Sequence, residues 1–186
     1  MSNVPAQLAN EMETAKVLAA SDLLPSHLRN KPQNVLLVSR VAQSLGIDPM
    51  AALTQINVID GKPTLGAALQ AALVRRAGHK LHVRIDEEAM TATAELRRCD
   101  DPETVHHSVW TQDKAERAGL WGKGAWQAYP SVMLANRATT EVIRLAASDV
   151  LLGAAYSPDE LGQEPSFVDL AVDDDIEATD AEVVEE

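Results

Sequence analysis

The sequence predicts an α+β protein with a small antiparallel sheet packed against helices, a long C-terminal helix and a disordered acidic tail. Three observations lead there. Apolar residues recur at helical spacing in several windows separated by Pro and Gly. "KLHVRID" alternates apolar Leu81, Val83 and Ile85 with polar residues, as a half-buried strand does. From Ser157 to Glu186 there are twelve acids and no Lys or Arg.

The elements follow in order. Leu8, Met12, Ala15 and Leu18 predict a first amphipathic helix, and "SDLLPSHLRNKP" breaks it. Pro32 suits the first turn of a second helix and Gly46 its end. Asp48-Pro49 starts a short third helix, "PMAALTQ". Asp60-Gly61 inside "INVIDGKPTLG" signals a hairpin. "AALQAALVRRAG" is a fourth helix ending near Gly78. "KLHVRID", "MTATAELRR" and "TVHHSVW" are three strands, with turns at Glu87-Glu88 and Asp100-Asp101-Pro102. A short helix and a Gly-rich loop cover "TQDKAERAGLWGKGAW". The longest helical signal is "YPSVMLANRATTEVIRLAASDVLLG", with Leu134, Ala138, Val142 and Leu145 along one side. A short final element is expected over residues 156–161. Residues 1–161 therefore read as one domain and residues 162–186 as the tail, too acidic and too poor in large apolar residues to offset chain entropy.

Composition narrows the function. The formal charge is −12, but the twelve acids from Ser157 onward leave sixteen of the chain's 28, against 16 Lys and Arg, so residues 1–156 are neutral. The single cysteine, Cys99, forms no internal disulfide, and no basic leader or long apolar run is present, so a soluble intracellular protein is the expectation. There is no phosphate-cradling Gly-rich loop ending in GKS or GKT. The five histidines, His27, His79, His82, His106 and His107, follow no standard zinc spacing, and neither a metal nor another cofactor is expected.

The positive signal is basic. From Gly61 to Ile85 stand Lys62, Arg75, Arg76, Lys80 and Arg84, with His79 and His82 and no acid. Such like charges suit a phosphate backbone. Helix C-termini also favour cations, which accounts for Arg75 and Arg76 but less well for Lys62 and Arg84. A second stretch carries Lys114, Arg117, Lys123, Arg137 and Arg144, interleaved with Trp121, Trp126 and Tyr129. That mix serves single-stranded nucleic acid. The competing reading puts at least two of the three aromatics in the core and makes Arg137, Glu141 and Arg144 an internal ion-pair ladder on one helix face.

Taken in order, these segments resemble the RecT family of phage-type single-strand annealing proteins. The N-terminal half carries "LLPSHLRNKPQNVLLVSRVAQSLGIDPMAALTQINVIDGKPTLGAALQAALVRRAGHKL", similar to the family's helix, "G-x-x-P-M-x-A-L" turn, "I-x-V-I-x-G-K-P" hairpin and "A-L-V-R-R-x-G-H" helix end. The C-terminal half carries "KAERAGLWGKGAWQAYPSVMLANRATTEVIRLAASDVLLGAAYSPDEL", similar to "W-x-x-Y-P-x-x-M-L-x-x-R-A" and "R-x-x-x-x-D-V-L-x-G-x-Y-x-x-E-L". The resemblance covers most of residues 23–161. It implies a Rad52-like annealing core, ring or helical homo-oligomers on DNA and no use of ATP. It also implies work in the bacterial host cytosol beside a phage exonuclease or host single-strand-binding protein.

The function expected is thus non-enzymatic binding of single-stranded DNA and annealing of complementary strands into duplex. Lys62, Arg75, Arg76 and Lys80 are the first candidates for phosphate contact, and Lys123, Arg137 and Arg144 the second. Charge reversal at Arg75 and Arg76 together is expected to abolish binding with the fold intact. Two alternatives stay open. One is a protein-interaction adaptor whose acidic tail recruits partners. The other is a nuclease using Asp100, Asp101, Glu103 and His106.

Overall fold

A computed structural model describes residues 4–59, 61–152 and 157. The chain folds as α+β. Helices α1 (Val4–Ala19), α2 (Pro32–Leu45) and α3 (Pro49–Gln55) lead into a two-stranded hairpin, β1 (Ile56–Ile59) and β2 (Lys62–Leu65). Helix α4 (Ala67–Arg76) then delivers the chain to an antiparallel sheet in the order β3 (Lys80–Asp86), β4 (Thr91–Arg97), β5 (Val105–Thr111). Short helices α5 (Gln112–Arg117) and α6 (Ala125–Ala128) precede the long α7 (Pro130–Ala146), which is followed by a 3-10 turn, Ser148–Leu151. The expected short element over residues 156–161 and the acidic tail lie outside the described residues, Ser157 apart.

Local chemistry sets the boundaries. The Asp48 carboxylate accepts from the backbone N–H of Met50 and Ala51, both at 3.0 Å, and Pro49 occupies the first position of α3. Gly46 ends α2 at φ +64°, a left-handed conformation that any side chain would strain. Gly61 turns the hairpin at φ +74°.

The sheet has two unlike faces. Inward lie Leu81, Leu96 and His106 in one row, then Val83, Ala94 and Ser108, then Ile85, Ala92 and Trp110. Ala92, Ala94 and Leu96 are fully buried, and the two alanines let α7 pack close against β4. The buried side of α7 is Met133, Leu134, Ala138, Val142 and Ile143. Leu145 departs from the expected stripe: it is 71% exposed, because the buried row drifts around the helix to Ile143 and Ala147. Helix α4 packs on α7 and β3, and α1 to α3 form a layer around the hairpin, all joined in one apolar core.

The α3 cap is separable from the rest. Asp48→Ala is expected to lower stability by about 1 kcal/mol. Urea denaturation should show a lower midpoint and an unchanged slope.

Candidate nucleic-acid interface

The second basic stretch is largely spent inside the molecule. Glu141, on α7, takes both Oε atoms to the sheet side. It accepts from Trp110 Nε1 at 2.7 Å, Ser108 Oγ at 3.1 Å, and Lys114 Nζ at 2.8 and 3.0 Å. Burial alone would push this carboxyl up. The Lys114 ammonium and the Trp110 and Ser108 donors outweigh it and hold the group below its ordinary value. Lys114 Nζ and the Arg137 guanidinium lie over the Trp110 ring at 4.5 and 4.6 Å. Trp126 packs 6.4 Å from both Trp110 and Trp121. Trp110 and Trp126 are buried, Trp121 is half-buried and Tyr129 is 43% exposed. The core reading of the aromatics therefore holds for Trp121 and Trp126, and Trp110 joins them. Glu141 is engaged by β5 and α5. Arg144 is half-buried on α7, and Lys123, exposed, donates to the Gly119 carbonyl at 2.7 Å.

The first stretch divides. Arg76 donates Nη1 to the Gly46 carbonyl at 2.8 Å and Nη2 to the Leu45 carbonyl, so it caps the C-terminus of α2. Reversing its charge would strip that cap, contrary to the expectation that the Arg75, Arg76 double reversal leaves the fold untouched. Arg75 is exposed at the end of α4, Lys80 is exposed at the start of β3, and Lys62 is exposed at the hairpin end of β2. Among the described residues none of these three has a carboxylate within 4.0 Å. Arg75 and Lys80 are separated only by the turn through Gly78 (φ +90°). Lys62 stands at the start of β2, on the other side of α4 in the chain.

A cation not singled out in the sequence stands beside Lys80. Arg97 is its register partner on β4 and is exposed. The two flank a cleft of about 550 Å³ lined also by Gly78, His82, Arg98, Cys99 and Pro102. Arg98 does not share their state. It donates to Asp100 on both carboxylate oxygens at 2.8 Å, to Asp149 at 2.8 and 3.1 Å, and to the Ala146 carbonyl at 2.8 Å. This guanidinium holds Asp100 down to about 2 and lowers Asp149 too. The register of the strands signals the Lys80–Arg97 pair once the turn at Glu87-Glu88 is placed, because alternation then puts both on the solvent face.

The loop between β4 and β5 carries the acids of the nuclease reading. Asp100 is held by Arg98, while Asp101 and Glu103 are exposed and His106 is half-buried on the inner side of β5. His79, Cys99 and Asp100 place one ligand-type atom each within 4.8 Å. The His79 Nδ1 lone pair accepts the Cys99 N–H at 3.0 Å, however, and both Asp100 oxygens are taken by Arg98. No helix is long and apolar enough to cross a membrane among the described residues.

Compared with known proteins, the chain matches no family model and no curated protein.

Two structural roles are measurable. Glu141→Gln is expected to lose about 2 kcal/mol at pH 7, the usual scale for a hydrogen bond to a charged group. Because the folded carboxyl sits below its unfolded value, its contribution is complete above about pH 4.3 and fades as pH falls through the lower folded value. The gap between variant and wild type in urea denaturation should therefore shrink below about pH 4. Arg76→Ala should lose about 1 kcal/mol, and Arg75→Ala less than about 0.5 kcal/mol.

Proposed function

We propose that this protein binds single-stranded DNA and anneals complementary strands without ATP, as a homo-oligomer built on a Rad52-like core. One observation carries the reading. Lys62, Arg75, Lys80 and Arg97 are exposed and have no carboxylate partner among the described residues. Three of the four surround the α4–β3 turn and the cleft beside it. Unpaired cations gathered at one end of a sheet favour a polyanion, and neutralising phosphates releases counterions.

The aromatics support the same chemistry. Trp110, Trp121 and Trp126 pack together, so the tryptophans are not a row of stacking platforms. An annealing protein must leave base edges open for a second strand, and contact through phosphate alone does that and carries no sequence preference. Pairing is itself downhill, and an oligomer multiplies weak phosphate contacts along a strand. Duplex DNA is the product, and an exonuclease or a host single-strand-binding protein fits as the partner that supplies or hands over strands.

The adaptor reading is favoured by a different feature, a groove of about 570 Å³ between α1 and α2. It is lined by Ala15, Leu18, Val35, Leu36 and Met50.

Two complementary labelled oligonucleotides, mixed with the protein without nucleotide or metal, separate the readings. Duplex formation should be at least roughly tenfold faster than without protein at low salt, with the gain collapsing at high salt. Arg75→Glu should weaken single-strand binding roughly tenfold with an unchanged melting temperature. No binding at low salt favours the adaptor.

A further inference from the structure

Among the described residues, the β3–β4–β5 sheet is covered on one face by α7 and open on the other. The open face is made of four rows across the strands. They are Lys80, Arg97 and Val105; His82, Glu95 and His107; Arg84, Thr93 and Val109; and Asp86, Thr91 and Thr111. Lys80, His82, Arg84, Arg97, His107 and Val109 are all exposed. The elements packed on the sheet are α7, with α4 against β3 and α5 against β5, so no described element lies across these rows.

Resting on the reading above, we propose that this open face is the track for single-stranded DNA. Lys80 and Arg97 hold a phosphate at the cleft, and the strand runs on over His82 and His107 toward Arg84. Charge complementarity argues for this occupant. The first row pairs two cations laterally, with Cα atoms about 5 Å apart, close enough to clasp one phosphodiester. The adjacent carboxylates are partly engaged by other cations. Arg98 pairs with both Asp100 and Asp149 at the cleft wall and offsets part of their charge, and Arg84 pairs with Glu95 at 2.5 Å on the face itself. Asp101 and Glu103 lie on the neighbouring loop, exposed, and pair with neither Lys80 nor Arg97. The far row, with Asp86 and two threonines, is not cationic, so the face has a strong end and a weak end. Arg97 keeps most of its donors for a ligand, since among the described residues its one side-chain hydrogen bond is a 3.4 Å donation to the Pro102 carbonyl. Lys80 to Arg84 spans about 13 Å along β3, the length of a short backbone segment rather than a single anion.

The test is fluorescence anisotropy of a labelled oligothymidine against salt concentration, with the full chain. In the Lys80→Gln, Arg97→Gln double variant, affinity should fall at least roughly tenfold. The slope of log affinity against log salt should become shallower by about 1.4, about 0.7 for each phosphate contact removed. Arg84→Gln should have a smaller effect. If wild type binds and the double variant keeps both affinity and slope, this face is not the track, although DNA binding stands. If wild type fails to bind at low salt, the functional reading itself falls. Acetylation of wild-type Lys80, followed by mass spectrometry, gives an answer that does not depend on the variant folding. Bound oligothymidine should protect Lys80, and unchanged labelling at saturation overturns the proposal.

Discussion

The structure depends on Glu141. One carboxylate on the long helix gathers an indole N–H, a serine hydroxyl and an ammonium from β5 and α5, and so fixes where α7 lies on the sheet. The apolar contacts beneath it, between Ala92, Ala94 and Leu96 and the side of α7 bearing Leu134, Ala138 and Val142, supply the burial but not the register. Hydrophobic contact is non-directional. A half-buried charge with three donors is not, and losing one partner would leave it costly to keep. Lys114 and Arg137, stacked at the Trp110 ring, close the same assembly.

Because α7 occupies one face of the sheet so firmly, alternation commits every other residue of β3, β4 and β5 to the opposite side. Polar and cationic residues are thereby placed in rows. Arg98 plays a complementary part at the sheet's end. By holding Asp100, Asp149 and the Ala146 carbonyl of α7, it ties the loop after β4 to the end of the helix and offsets part of the negative charge near Lys80 and Arg97. Cations thus fall into two kinds: those that build the fold, Arg76, Arg98, Lys114 and Arg137, and those left to solvent, Lys62, Arg75, Lys80 and Arg97. The proposed annealing activity draws chiefly on the second kind.

Local signals made most of the fold legible. Pro32 and Gly46 mark α2, Asp48-Pro49 marks α3, and Asp60-Gly61 marks the hairpin. The alternation of Leu81, Val83 and Ile85 marks β3. Each depends on a few adjacent residues, so the sequence carries it directly. The candidate site was less legible because its members meet through long-range pairing. Arg75 and Arg76 are neighbours with the same charge, yet one reaches solvent and the other meets α2, thirty positions back in the chain. Arg97 sits in a stretch with no obvious basic run, and only the β3–β4 register reveals it beside Lys80. The expected ladder of Arg137, Glu141 and Arg144 followed from helical periodicity. That periodicity says which residues share a face but not that Lys114 and Trp110 arrive from elsewhere to claim the carboxylate.

The central claim is that a nucleic-acid strand lies on the side of the sheet opposite α7. Photocrosslinking reads that geometry directly. An oligothymidine carrying a single azidophenacyl group on a backbone phosphorothioate, bound at low salt and irradiated, should attach to peptides containing His82, His107 or Cys99. Crosslinks falling instead on α1 and α2, with the sheet peptides unmodified, would contradict the account.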